Sequence, residues 1–276
     1  MRTLSFVATL TCIAAACSRD SSPPADPAAA AASTAADTLA AGEARLAVDG
    51  GRIWYKVSGS GTATPTILLH GGPGFASFYM KSQEAISADR PVVRYDQLGA
   101  GHSDHITDTA MFNIAHFVRE LDSLRSHLGY DKVHVIGHSW RTILGLEYYR
   151  AHPEHVASLT LMSPALDMSA WERNAKRLVK TLSDMQGPSE FTIVGTLKTY
   201  DATPFLKDVK VPVLLTVGEF DEADPPTVRK HAQMTPGAKV AVIPGAAHIV
   251  QWDAPDETNR VVRTFLQSVD STRSKP

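Results

Sequence analysis

Short, largely apolar runs recur along most of the chain: PTILLHG, RPVVRYD, KVHVIGH, SLTLMSP, VPVLLTVG and KVAVIPG, closed by glycine, histidine, proline or aspartate. Apolar on both faces and too short for buried helices, they predict buried strands. RLAVDGGRIWYKVSGSG predicts a hairpin turning at Asp49-Gly50-Gly51, because Asp-Gly pairs accept the positive φ of tight turns. NIAHFVRELDSLRSHLG, ILGLEYYRAHP and DETNRVVRTFLQSV read as helices. Strands alternating with helices imply an α/β fold, a mostly parallel central sheet with helices on both faces. Sites in such folds lie at the carboxyl ends of the strands.

The first residues follow another pattern. Arg2 precedes an apolar stretch, Leu4 to Ala16, that is too short to span a membrane and reads as a secretory signal over 1–16. Ala14-Ala15-Ala16-Cys17 resembles a bacterial lipoprotein cleavage site. That resemblance implies a lipid anchor on Cys17, with the protein exported to the bacterial periplasm and held at a membrane; an ordinary cleaved signal is the alternative. Residues 17–43 are almost wholly Ala, Ser, Pro, Asp and Thr, with Leu39 as the only large apolar side chain. Such a stretch has nothing to bury and reads as a flexible tether before a domain over 44–276.

Composition narrows the function classes. Lys+Arg 27 against Asp+Glu 29 gives a net charge of −2 with no basic run, so nucleic acid is not an expected partner. Cys12 and Cys17 are the only cysteines, which leaves the domain without a disulfide framework or a cysteine metal site. His152-Pro153-Glu154-His155 superficially resembles a metal pair. Proline breaks the helix that would present both imidazoles, and no third ligand is evident, so neither metal nor cofactor is expected.

Three strand ends carry the chemistry. Val133 to Gly137 runs into His138-Ser139-Trp140-Arg141 and then a helix, the setting of a nucleophile elbow, so Ser139 is the candidate nucleophile. A serine hydroxyl needs a base and an orienting carboxylate, in the chain order serine, acid, histidine for this fold. Asp221 follows VPVLLTVGEF and His248 follows KVAVIPGAA, each just past a predicted strand. His70-Gly71-Gly72-Pro73-Gly74 follows Thr66 to Leu69. The backbone amides of Gly72 and Trp140 are the expected oxyanion donors, each worth ~10²–10³ in rate. Asp96 is read as a brace for its loop, with His102 and His105 exposed.

HGGPG at 70–74, DQLGAGHSD at 96–104, GHSW at 137–140, GPSEF at 187–191, GTLKTYD at 195–201 and GEFDE at 218–222 resemble the signatures of the proline iminopeptidases, a family of α/β-hydrolases. The resemblance implies release of an N-terminal residue, preferably proline, from small peptides or amides through an acyl-enzyme. It implies that Glu190 and Glu222 bind the free amino group, with Gly71 also contacting substrate. A desolvated ammonium needs countercharge, and anchoring it one residue from the nucleophile fixes cleavage after the first residue.

Two departures qualify this. The family has a small residue where this chain has Arg141, followed by Thr142; a bulky cation there either shifts the turn and misaims Ser139 or reaches into the cleft. The helical cap, assigned to about 167–209, is short, as if its middle were deleted. A small cap leaves a more open cleft, which keeps a carboxylesterase or lipase-like hydrolase as the alternative. Arg141 keeps a second, a catalytically impaired binding protein.

Overall fold

The computed structural model describes residues 41–72, 75–175 and 199–273. The leader with Cys17, the tether up to residue 40, Pro73-Gly74 and the cap residues that include Glu190 lie outside the described residues.

Among the described residues, eight strands form one sheet: β1 (Gly42–Val48), β2 (Gly51–Ser58), β3 (Thr66–Leu69), β4 (Val92–Asp96), β5 (Val133–His138), β6 (Val156–Met162), β7 (Val213–Gly218) and β8 (Lys239–Ile243). Their order is β1-β2-β4-β3-β5-β6-β7-β8. The β1–β2 hairpin and its pairing with β4 are antiparallel, and every later pairing is parallel. The hairpin turns at Asp49-Gly50, where Gly50 takes φ 90°. β1 starts at Gly42, two residues inside the stretch assigned to the tether, because the Gly42↔Val57 and Glu43↔Lys56 pairings need no apolar side chain.

The central strands are apolar throughout because both faces are covered. Along β3, Ile67 and Leu69 join one core and Leu68 the other; β4, β5 and β7 alternate likewise. The first core is closed by α1 (Ile114–His127), α2 (Arg141–Ala151) and α3 (Pro225–Met234) through Phe117, Leu144 and Val228. The second is closed by the 3-10 segment Ser77–Ala88, α4 (Val250–Asp253) and α5 (Pro255–Arg273) through Met80, Val250 and Phe265. The KVAVIPG run is the exception to the expectation of buried strands. β8 is an edge strand in which only Ile243 is buried and Lys239 is exposed, since among the described residues no strand pairs beyond it.

The described ends of the cap meet over α2. Asp167 and Asp201 form an antiparallel bridge, the Met168 amide donates to Tyr200 O (3.3 Å) and the Ala202 amide to Leu166 O (2.9 Å). The Tyr200 hydroxyl donates to Glu147 on α2 at 2.6 Å. Among the described residues, no helix is long and apolar enough to cross a membrane.

Candidate active site

β5 delivers Ser139 into the sharp turn that starts α2. Ser139 has φ 56°, a left-handed conformation that non-glycine residues adopt only when their surroundings enforce it. Three bonds enforce it: the Ser139 amide donates to Met162 O on β6 (2.9 Å), and the Thr142 amide and hydroxyl both donate to Ser139 O (2.9 and 2.6 Å). A side chain at Gly137 would place Cβ 2.5 Å from Arg141 O, so only glycine lets strand and helix approach this closely.

Ser139, His248 and Asp221, far apart in the chain, meet here. His248 Nε2 lies 2.9 Å from Ser139 Oγ, and Nδ1 lies 2.9 Å from Asp221 Oδ1. Asp221 is buried at the end of β7 and accepts from the Ala223 amide at 2.9 Å. Burial alone would raise its pKa, yet the hydrogen bond and charge of His248 hold it below the usual carboxylate range. His248 is the converse. Burial would lower its pKa, but the hydrogen bond to Asp221, the Asp221 charge and then Glu222 raise it. Glu222 Oε1 stands 3.3 Å from Nδ1, so a second carboxylate flanks the same imidazole. Among the described residues, Asp221, Glu222 and His248 are the one group of acids and imidazoles close enough to hold a cation, their ligand atoms lying within 4.8 Å. The His152–His155 stretch instead forms a turn in which His155 Nδ1 faces Asp131 O at 2.8 Å.

Gly72 follows β3 with φ 112°, open in practice to glycine. Neither its amide nor that of Trp140 has a hydrogen-bond partner among the described residues, which leaves both free to donate to a bound oxygen. Gly71 is different. Its amide donates to the Tyr79 hydroxyl and its carbonyl accepts from His70 Nδ1 (3.0 Å), so that amide is not open to a ligand. His70 accepts the Gln97 amide at Nε2 (3.2 Å) and joins the HGGPG loop to the loop after β4. Burial, then Arg141, depresses its pKa to about 3 and keeps it neutral. Asp96 braces that second loop, accepting from the amides of Ser77 (2.7 Å) and His102 (2.9 Å); His102 and His105 are exposed.

Two further supports gave no signal in the sequence. His138 Nε2 donates to His248 O (2.8 Å), and its Nδ1 faces the Tyr79 hydroxyl (2.9 Å), linking the HGGPG loop to the loop of His248. Ser163, at the end of β6 with φ 47°, donates from Oγ to the same His248 O at 2.7 Å.

A model of the alpha/beta hydrolase fold matches residues 64–187. A proline iminopeptidase of Heyndrickxia coagulans is 33% identical over an alignment covering 82% of this chain and 99% of that protein. The chain belongs to the proline iminopeptidase family. One from Saccharolobus solfataricus is 26% identical over 79% of this chain and 88% of its own. The crystal structure of the Mycobacterium smegmatis proline iminopeptidase superposes with a TM-score of 0.76 at 26% identity, covering 84% of this chain and all of that one.

Against that family the Arg141 departure resolves in an unforeseen way. The turn is not shifted out of reach of His248, and the arginine does not enter the cleft. Its side chain is fully buried behind the elbow, with the guanidinium carbon 4.8 Å from the Trp140 ring centroid and 5.2 Å from that of Phe117. Two aromatic faces and a 3.4 Å contact from Nη1 to the Tyr95 hydroxyl replace part of its hydration. Nε and Nη2 have no partner among the described residues. Trp140 is thereby committed to the core. Glu120 on α1 accepts the Leu98 amide at 3.0 Å; burial pushes its pKa up to about 7, against the pull of the Arg141 charge.

Proposed function

We propose that this chain is a serine hydrolase that releases the N-terminal residue, preferably proline, from peptides with a free amino terminus. The observation that carries the reading is the hydrogen-bonded series Ser139–His248–Asp221, 2.9 Å at each step, on an elbow whose serine is held at φ 56°. His248 Nε2 takes the Ser139 proton as Oγ attacks the first carbonyl carbon. The amides of Gly72 and Trp140 receive the developing oxyanion. The carbon–nitrogen bond then breaks, and the departing amine takes the proton back from His248. Water, activated by the same imidazole, clears the acyl-enzyme. Glu222 beside His248, together with Glu190, supplies the countercharge for the substrate ammonium, which fixes cleavage after one residue. The proposed setting is the bacterial periplasm, with a lipid on Cys17 as the anchor.

The test is hydrolysis of proline p-nitroanilide, its N-acetylated form and p-nitrophenyl butyrate by residues 18–276, with Ser139→Ala as the blank. Turnover confined to the free-amine substrate is expected. Turnover of the ester alone would replace this reading with an esterase, and rates equal to the blank would remove the nucleophile.

A further inference from the structure

The proposed reaction leaves one group of side chains at the site unused. Phe75, Phe78 and Trp252 are 47, 52 and 60% exposed, although each would gain by burial. They are not scattered. Phe78 lies 5.4 Å from Phe75 and 6.3 Å from Trp252 between ring centroids, the latter edge to face. The Ser82 hydroxyl donates to Gln251 O at 2.6 Å and ties together the two segments that carry them. The cluster runs on into the site: Phe75 packs on Tyr79 (5.3 Å), Tyr79 on His138 (5.4 Å) and His138 on His248 (4.9 Å). A contiguous aromatic patch that continues through ring contacts to His248 marks a binding surface rather than ordinary surface apolarity.

Its position selects what it binds. His248 must hand its proton to the departing nitrogen, so the part of the substrate beyond that nitrogen emerges beside His248. Trp252, on α4 four residues after His248, belongs to the segment next to that exit, and Phe78 stands against it. We infer that Phe78 and Trp252, backed by Phe75, form a leaving-side subsite for a large apolar or aromatic side chain on the second residue of the substrate. This rests on the hydrolase reading above and adds a preference to it. In the step concerned, the Ser139 Oγ–carbon bond forms, the carbon–nitrogen bond breaks and the proton from Ser139 passes through His248 to the amine, which leaves with its side chain still on the two rings.

The experiment compares kcat/KM for Pro-Phe-amide and Pro-Gly-amide in the wild type, Phe78→Ala, Trp252→Ala and the double variant, with thermal midpoints to check folding. Stacking on two rings predicts a wild-type preference for Pro-Phe-amide of roughly tenfold. In the double variant that ratio falls close to one at an unchanged midpoint. A wild-type ratio near one, or a ratio that survives both substitutions, overturns the subsite while leaving the aminopeptidase reading intact. If neither peptide is hydrolysed, the aminopeptidase reading fails, and benzyl against methyl butyrate poses the same question: a benzyl preference lost in the double variant upholds the subsite, and equal rates in the wild type overturn it.

Discussion

Tyr79→Phe removes one oxygen and unsettles two walls of the site. His248 O can only accept, so the His138 ring carries its proton on Nε2. Burial, then the charge of His248, holds the His138 pKa down to about 3, so Nδ1 is a bare acceptor facing the Tyr79 hydroxyl at 2.9 Å. The Tyr79 hydroxyl therefore donates to His138 while accepting the Gly71 amide. Phenylalanine leaves the Gly71 N–H and His138 Nδ1 both buried without partners, at ~1–3 kcal/mol each. A total near 3 kcal/mol lowers the midpoint of a domain this size by roughly 6–12 °C in a thermal melt. The catalytic effect is separate. Gly71 precedes the proposed donor Gly72, and a displacement near 1 Å costs on the order of 10² in kcat. Both quantities come from one preparation, by differential scanning fluorimetry and by p-nitroanilide or ester hydrolysis at saturating substrate. A midpoint within about 2 °C of wild type together with kcat within about threefold would refute the claim that this hydroxyl joins the two loops.

Other outcomes follow from the same geometry. Glu222→Gln removes a negative charge that raises the His248 pKa; since the base must be neutral, the acid limb of kcat/KM for an ester moves to lower pH, and an unmoved or raised limb contradicts the contact. Glu120 has a folded pKa of about 7, above the ordinary 4.5, so the folded state holds the extra proton. Its stability contribution is full below pH 4.5 and is lost as pH rises toward 7, on the order of 3 kcal/mol in all; Glu120→Gln flattens that slope in urea melts at pH 5 and 8. Arg141→Met fills the same space without a buried cation, so at pH 6, with Glu120 protonated, stability is unchanged or higher by about 1–4 kcal/mol. Fluorophosphonate labelling of this variant stays within about threefold of wild type. A large gain would show that the arginine holds Ser139 out of line.

The strand-end positions of the candidate site residues were legible because each motif is local. HGGPG, GHSW, the aspartate after β7 and the histidine after β8 each need only a strand, a tight turn and small residues within a few positions, and those are written consecutively. Arg141 shows the limit. Its neighbours along the chain announce an overfilled turn, but the space it occupies is supplied by Phe117 on α1, Tyr95 on β4 and the Trp140 ring. The edge position of β8 was hidden for a similar reason, since an apolar run does not say whether a further strand pairs beyond it.

By itself the sequence determined the α/β alternation, the strand-end positions of Ser139, Asp221 and His248, and the family resemblance, because backbone conformation and short-range turn chemistry depend on neighbouring residues. The tertiary structure decided what holds those groups in register. Tyr79 reaches His138 across 59 residues, Ser163 reaches His248 across 85, and Trp252 stands against Phe78 from the far end of the domain. Such contacts come from packing two helical layers onto a twisted sheet, where hydrogen bonds and ring contacts join whichever side chains the topology brings together.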